Sequence, residues 1–161
     1  MESVPSVWPT GSKLLSPHFT DRELNVESAD LRITDNARFL CERLLEPIRQ
    51  KFGPLRITSG YRPADHNAAV GGVRDSEHEY HDDHAAADFR PVDANIPLTQ
   101  VFNWIRLESR LPFRQVILEH DHATQQPECI HVSARVNGND KHEALIGGTH
   151  GSESYTKVEA S

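Results

Sequence analysis

The sequence predicts an α+β domain in which a small antiparallel sheet is flanked by helices. Three observations lead there. From Asp35 to Phe52 the apolar residues Ala37, Leu40, Cys41, Leu44, Leu45, Ile48 and Phe52 recur at the spacing of one helical face. Short apolar phrases at 55–58, 85–89, 115–119 and 129–136 read as strands, and they do not alternate regularly with helical patterns as a parallel α/β sheet would require. The last two phrases are joined by a polar connection, the pattern of an antiparallel hairpin.

Taken in order, residues 1–18 carry three prolines and little periodicity, which suits an extended lead-in. Thr20-Asp21-Arg22-Glu23 fits a capping box, in which Thr20 and Glu23 satisfy each other's backbone donors, and predicts a short helix just after Phe19. The helix through Asp35–Phe52 is interrupted by Pro47, which bends its last turn, and Gly53-Pro54 ends it. Leu55-Arg56-Ile57-Thr58 reads as a strand running into Ser59-Gly60-Tyr61-Arg62-Pro63. Residues 60–84 are loop-like around Gly71-Gly72, and Ala85–Phe89 is a short buried strand. Leu98–Ser109 has Val101, Phe102 and Ile105 at helical spacing behind Pro97, which suits a helix start. Beyond Asn137 the composition turns polar, so residues 137–161 are expected to form a loose tail with at most one short element near Ala144–Ile146. The division is then a lead-in (1–18), one domain (19–136) and a polar tail (137–161).

Composition narrows the function. A net charge of −7 disfavours nucleic-acid binding and adhesion to anionic membranes, both of which rest on basic surfaces. No run approaches the roughly 20 apolar residues of a membrane-spanning helix. Met1–Gly11 has neither a basic start nor an apolar run, so a cytoplasmic origin without a secretory signal is expected. Two cysteines, Cys41 and Cys129, do not make a disulfide framework. Ten histidines are unusual, and His78, His81 and His84 crowd into one short stretch.

Two segments carry chemistry. Asp88 is a carboxylate in the apolar run Ala85-Ala86-Ala87-Asp88-Phe89, where burial without a partner would cost several kcal/mol. A metal ion or an arginine such as Arg62 would satisfy it; taken alone, it also reads as a strand-end acid bonded to a loop. His131 lies in the strand-like run Glu128-Cys129-Ile130-His131-Val132-Ser133, where a core histidine is the plain alternative. Two histidines and an aspartate with one position open make a catalytic zinc set, which acidifies water and polarises a carbonyl. Cys129 shares the face of His131 in a regular strand and reads as a small buried hydrophobe rather than a nucleophile.

The ordered phrases Ile57-Thr58-Ser59-Gly60-Tyr61-Arg62-Pro63, Asn67-Ala68-Ala69-Val70-Gly71-Gly72-Val73, Ser76-Glu77-His78, Ala86-Ala87-Asp88 and Ile130-His131-Val132-Ser133 resemble the zinc D-alanyl-D-alanine carboxypeptidase-like peptidases. That family includes vancomycin-resistance dipeptidases and phage endolysins that cut peptidoglycan stem peptides. The likeness extends upstream to Ser16-Pro17-His18-Phe19-Thr20 and Leu44-Leu45-Glu46-Pro47 and covers roughly residues 16–136. It implies a hedgehog/DD-peptidase-like fold with the zinc site on the sheet, making residues 19–136 a zinc peptidase domain. It further implies Zn2+ as cofactor, His78, Asp88 and His131 as ligands, and Arg62 as the group that stabilises the oxyanion. Ser76 matches a position that contacts substrate or shapes a turn; Asn67 and Gly71-Gly72 shape the loop.

Two positions depart from the pattern. The family separates the first histidine from the aspartate by six residues; His81 keeps that spacing, whereas His78 keeps the Ser-x-His context with three extra residues before Asp88. His78 is preferred, leaving Asp82, Asp83 and His84 to a solvated loop. The general base is open between Glu128, three residues before His131, and Glu119, which ends the preceding strand. In a regular strand residues three apart face opposite ways, so Glu128 reaches the metal side only if the chain bends near Pro127.

The resemblance implies zinc-dependent hydrolysis of amide bonds beside a D-amino acid in stem peptides, of DD-carboxypeptidase or LD-endopeptidase type. The competing expectations are a catalytically silent cell-wall-binding or structural module of a phage virion, and a zinc domain with a different substrate. The partner is a peptidoglycan stem peptide, with phage virion proteins a further possibility. The expected place of action is the cell wall, reached after phage lysis or as a virion component.

Overall fold

The computed structural model describes residues 12–63, 77–80, 83–138, 140–148 and 154–161. A six-stranded sheet runs in the order β3-β4-β6-β5-β7-β8, built from β3 (Leu55–Ser59), β4 (His84–Pro91), β5 (Gln115–His120), β6 (Pro127–Arg135), β7 (Glu143–Gly147) and β8 (Tyr155–Val158). A separate ribbon pairs β1 (Leu14–Ser16) with β2 (Phe19–Thr20). Helical segments α1 (Leu31–Leu40) and α2 (Glu46–Phe52) are joined by a wide π-type turn at Cys41–Leu45, and α3 (Leu98–Asn103) runs into a second such turn at Trp104–Glu108.

Every apolar residue that predicted the long helix is buried: Ala37, Leu40, Cys41, Leu44, Leu45, Ile48 and Phe52. The helix begins earlier than expected because Asp30 caps it, its side chain accepting from the Ile33 N–H at 3.0 Å. Pro47 stands in the first turn of α2, immediately after the wide turn, where its missing N–H is least costly. The capping box also forms: the Thr20 N–H donates to Glu23 Oε1 at 2.9 Å, and the Glu23 N–H to Thr20 Oγ1 at 3.2 Å. The helix expected behind it does not. Asn25 turns left-handed (φ 60°) and the chain closes a single turn, with the Val26 N–H on the Asp21 carbonyl at 2.9 Å.

The sheet is two-faced. Ala85, Ala87 and Phe89 of β4, Ile130, Val132 and Ala134 of β6, and Val116 and Leu118 of β5 belong to one core with the helical residues Leu40, Leu44, Ile48, Val101 and Ile105. The alternate residues, among them Asp88, His131, Ile117 and Glu119, line the other face. Alternation thus turns a strand's polar residues into a surface while its apolar ones form the core.

Two expectations are corrected. The sheet is not wholly antiparallel: β5 and β7 pair in parallel, Gln115 with Glu143 through Glu119 with Gly147. β6 already has β4 and β5 on its two edges, so the returning chain takes a free edge of the sheet, the one beyond β5 rather than the one beyond β3. Residues after Asn137 are not a loose tail with at most one element, because β7 and β8 pair antiparallel and extend the sheet. The end is tied down as well, with the Ser161 N–H donating to the Arg106 carbonyl at 2.8 Å and Arg106 Nη1 donating to the Glu159 carbonyl at 2.6 Å.

His84 and Asp83 depart from the solvated loop expected of them. His84 is buried and opens β4 opposite Arg135, while Asp83 pairs with Arg135 at 3.7 Å. Asn67, Gly71, Gly72, Ser76, His81 and Asp82 lie outside the described residues. Among the described residues no helix is long and apolar enough to cross a membrane.

Candidate metal centre

Strand register builds the site. Asp88 of β4 pairs directly with His131 of β6, so their side chains leave the same face of the sheet side by side. His78 arrives from a short 3-10 turn (Glu77–Glu79) laid over that face. His78 Nε2 stands 3.2 Å from Asp88 Oδ1 and 3.2 Å from His131 Nδ1, and His131 Nδ1 stands 2.9 Å from Asp88 Oδ1. These three are a group able to hold a metal ion.

The outer nitrogens of both rings are already committed. His78 Nδ1 donates to the Gly60 carbonyl at 2.8 Å, and since a carbonyl only accepts, the proton sits on Nδ1 and Nε2 presents a lone pair inward. The approach of Gly60 that brings its carbonyl there needs a residue without Cβ, because a Cβ would stand 2.5 Å from the Leu24 carbonyl oxygen. His131 Nε2 faces Glu77 Oε1 at 3.2 Å, and Glu77 Oε2 accepts from Arg114 Nε at 2.7 Å. Held at Nε2 by Glu77, His131 directs Nδ1 inward, onto Asp88 Oδ1. Two ring nitrogens and one carboxylate oxygen then converge on one point, where a metal ion could replace the hydrogen bonds among them.

The donor set fits zinc. Two imidazoles and one carboxylate are borderline-soft N/O ligands that leave a fourth position open, and ligand atoms on a tetrahedral zinc stand roughly 3.3 Å apart, close to the triangle observed. Both histidines have the outer hydrogen bonds that orient ligating imidazoles. Electrostatics agree. Burial alone would raise Asp88, but its bonds to His131 and His78 hold it well below the usual carboxylate range. Burial would likewise raise Glu77, yet its bond to His131 and the charge there, with Arg114 behind, keep it at about 2. His131, which burial would lower, is raised to about 10 by Asp88 and Glu77 on its two sides. The face is built to hold positive charge.

Arg62 lies beside this centre, its backbone N–H on the His78 carbonyl at 2.6 Å. Its Nε is buried and makes no hydrogen bond to a described residue, and it borders a cleft of about 210 Å³ with Ser59, Gly60 and Tyr61. Glu119 pairs with Cys129, next to the Asp88–His131 row on the same face. Burial raises its pKa, with the Asp88 and Glu128 charges adding to the effect against His131. Glu128 is exposed and falls where the β5–β6 register slips, since Glu119 pairs with Cys129 but His120 with Pro127. It is the extra residue of a bulge, the bend that can turn it toward the metal face. The Cys129 thiol is pushed far above its ordinary value by burial and the Asp88, Glu119 and Glu128 charges, which makes it a poor nucleophile.

A family model described as Peptidase M15 matches residues 17–123. The chain belongs to the peptidase M15 family. Membership indicates a metallopeptidase, and the family is zinc-dependent. No curated protein matches the chain. The matched span contains Arg62, His78, Asp88 and Glu119, while His131 follows it on β6.

Sequence reasoning missed Glu77 and Arg114. Glu77 stands inside the Ser-Glu-His phrase, but it acts on a histidine 54 positions away, a distance no local pattern encodes.

Proposed function

We propose that this chain is a zinc metallopeptidase that hydrolyses an amide bond beside a D-amino acid in peptidoglycan stem peptides, with His78, Asp88 and His131 holding the ion. The observation that carries the reading is the convergence of His78 Nε2, His131 Nδ1 and Asp88 Oδ1, both imidazoles tied from outside, in a chain of the M15 family. A zinc ion bound there would polarise the scissile carbonyl and acidify water.

The chain's own residues supply the rest. Gly60 and Glu77 hold the His78 and His131 rings from outside, so the ligand set is oriented before a metal binds. Arg62, with a buried Nε free of bonds to described residues, is suited to receive the carbonyl oxygen as negative charge develops on it. Glu119 takes the proton of the attacking water and returns it to the departing amine; its raised proton affinity suits both halves of that task. Glu128 supports it from the bulge by raising that affinity. Ser76, as a substrate contact, belongs to the same proposal. The stem-peptide substrate rests on the SGYR and VGGV phrases, and action at the cell wall, as a phage lysis enzyme or virion component, follows from that substrate.

The test is incubation of the zinc-loaded protein with purified peptidoglycan and with synthetic stem peptides, reading new amines and product masses. Cleavage that stops with a chelator and returns with zinc is expected. Zinc bound at the triad with stem peptides left intact would instead make the chain a silent wall-binding or structural module. Equal cleavage of a generic peptide library would overturn the substrate assignment.

A further inference from the structure

The row of residues next to the metal triad crosses four strands. Cys129 on β6 pairs with Glu119 on β5, Glu119 with Gly147 on β7, and Gly147 with Tyr155 on β8. All four therefore belong to the face that carries Asp88 and His131. The Glu77–Glu79 turn covers the triad from above, and Glu77 and Arg114 reach it from the end of the sheet opposite this row. The Glu119 row thus lies at the end of the triad away from Glu77 and Arg114.

Gly147 shapes that end of the face. Its backbone is not in a conformation reserved for glycine, yet a Cβ there would overlap Cδ1 and Cε1 of the Tyr155 ring and stand 3.1 Å from Cζ. The ring lies across the glycine along its Cδ1–Cε1 edge, and the residue next in line is Glu119. Two strand spacings, roughly 9.5 Å, separate β8 from β5, and a phenol laid across β7 spans most of that gap. Tyr155 remains 43% exposed, so its far side is accessible to a ligand.

We propose that Tyr155 is a substrate-contacting residue: its ring, seated on Gly147, walls the cleft on the Glu119 side, and its hydroxyl donates a hydrogen bond to an oxygen of the bound peptide. The ligand class is a peptide backbone carbonyl or carboxylate, the acceptor that a phenol beside a carboxylate-bearing metal face can reward. The phenol's raised pKa, from burial and then the charges of Glu119, Asp88 and Cys129, agrees with a hydroxyl directed toward those groups and keeps it a donor at neutral pH. The proposal rests on the peptidase reading and extends the working site to the strand at the far edge of the sheet.

The test compares zinc-loaded wild type, Tyr155→Phe and Gly147→Ala on a synthetic stem peptide. Metal content and melting temperature are recorded for each, and binding of the cleaved peptide to the metal-free proteins is measured by calorimetry. Loss of one hydrogen bond predicts a fall in kcat/KM of about tenfold for Tyr155→Phe, with weaker product binding and unchanged zinc content. Gly147→Ala, which keeps the tyrosine but evicts its ring, should lose at least as much. Tyr155→Phe with wild-type kcat/KM and product affinity overturns the proposal whatever Gly147→Ala does. An inactive wild type sinks the peptidase reading itself, and this proposal with it; an active wild type beside equally active variants sinks only the role of Tyr155.

Discussion

Replacing Glu77 by glutamine isolates the outer support of the metal centre with little change in shape. The carboxylate serves two donors at once, His131 Nε2 at 3.2 Å and Arg114 Nε at 2.7 Å. An amide has one acceptor oxygen, so one of the two donors loses its partner. Outer-shell partners of ligating histidines are commonly worth about 10- to 100-fold in metal affinity. Two features put Glu77 toward the lower end. Its bond to His131 is long for a charge-assisted contact, and Arg114 already balances much of its charge. The expected loss in zinc affinity for Glu77→Gln is therefore about 10- to 30-fold, or ~1.4–2 kcal/mol. Competition with a chromophoric chelator at neutral pH measures it, with His131→Ala as the reference for loss of a ligand and a thermal melt as the check on folding. A folded Glu77→Gln that binds zinc as tightly as wild type would refute the argument that this carboxylate orients His131.

Two further outcomes follow from the same geometry. Glu119→Gln should cut kcat by about 100-fold or more, the scale of a lost general base, while Glu128→Gln, which only lowers the proton affinity of Glu119, should cost far less; the reverse order in steady-state kinetics would move the proton-transfer role to the bulge. Away from the site, Glu46 accepts from Ser16 Oγ at 2.6 Å, the His18 N–H at 2.7 Å and the His18 ring at 2.8 Å, and these bonds outweigh burial to hold its pKa down. A depressed carboxylate stabilises the fold above its ordinary pKa and ceases to as pH falls through the folded value. Glu46→Gln should thus lower the melting temperature by about 3–6 °C at neutral pH, a gap that narrows below about pH 4.

Much of the site was legible because the sheet's period of two is written directly in the residues. Asp88 interrupts an apolar run, and His131 sits among valine and isoleucine, so each announced a polar partner on one face of a strand. The long helix was equally plain, since its buried stripe is continuous through the wide turn at Cys41–Leu45. Other parts were hidden for physical reasons. The Thr20–Glu23 box forms in a single turn as well as in a helix, so the motif could not reveal that Asn25 ends it. β8 is an edge strand with Tyr155, Thr156 and Lys157 exposed, which gives the polar composition of a loose tail. Which free edge β7 would join, that of β3 or that of β5, is a property of the assembled sheet. Glu77 and Arg114 meet His131 only across the folded face.

The parallel seam between β5 and β7 also divides the sheet in two. β5 and β6 are a hairpin that closes locally, and β4 joins them through contacts the metal ligands share. β7 reaches β5 across 28 positions, Gln115 to Glu143, fewer than the 43 that separate Asp88 from His131. The sheet therefore has an inner part that carries Asp88 and His131 and an outer part, β7 and β8, that carries Gly147 and Tyr155. Zinc should slow amide exchange in β4 and β6 far more than in β7 and β8. Holding a metal and meeting substrate would thereby fall to different parts of the sheet, the first to β4, β6 and the Glu77–Glu79 turn and the second to its β8 edge.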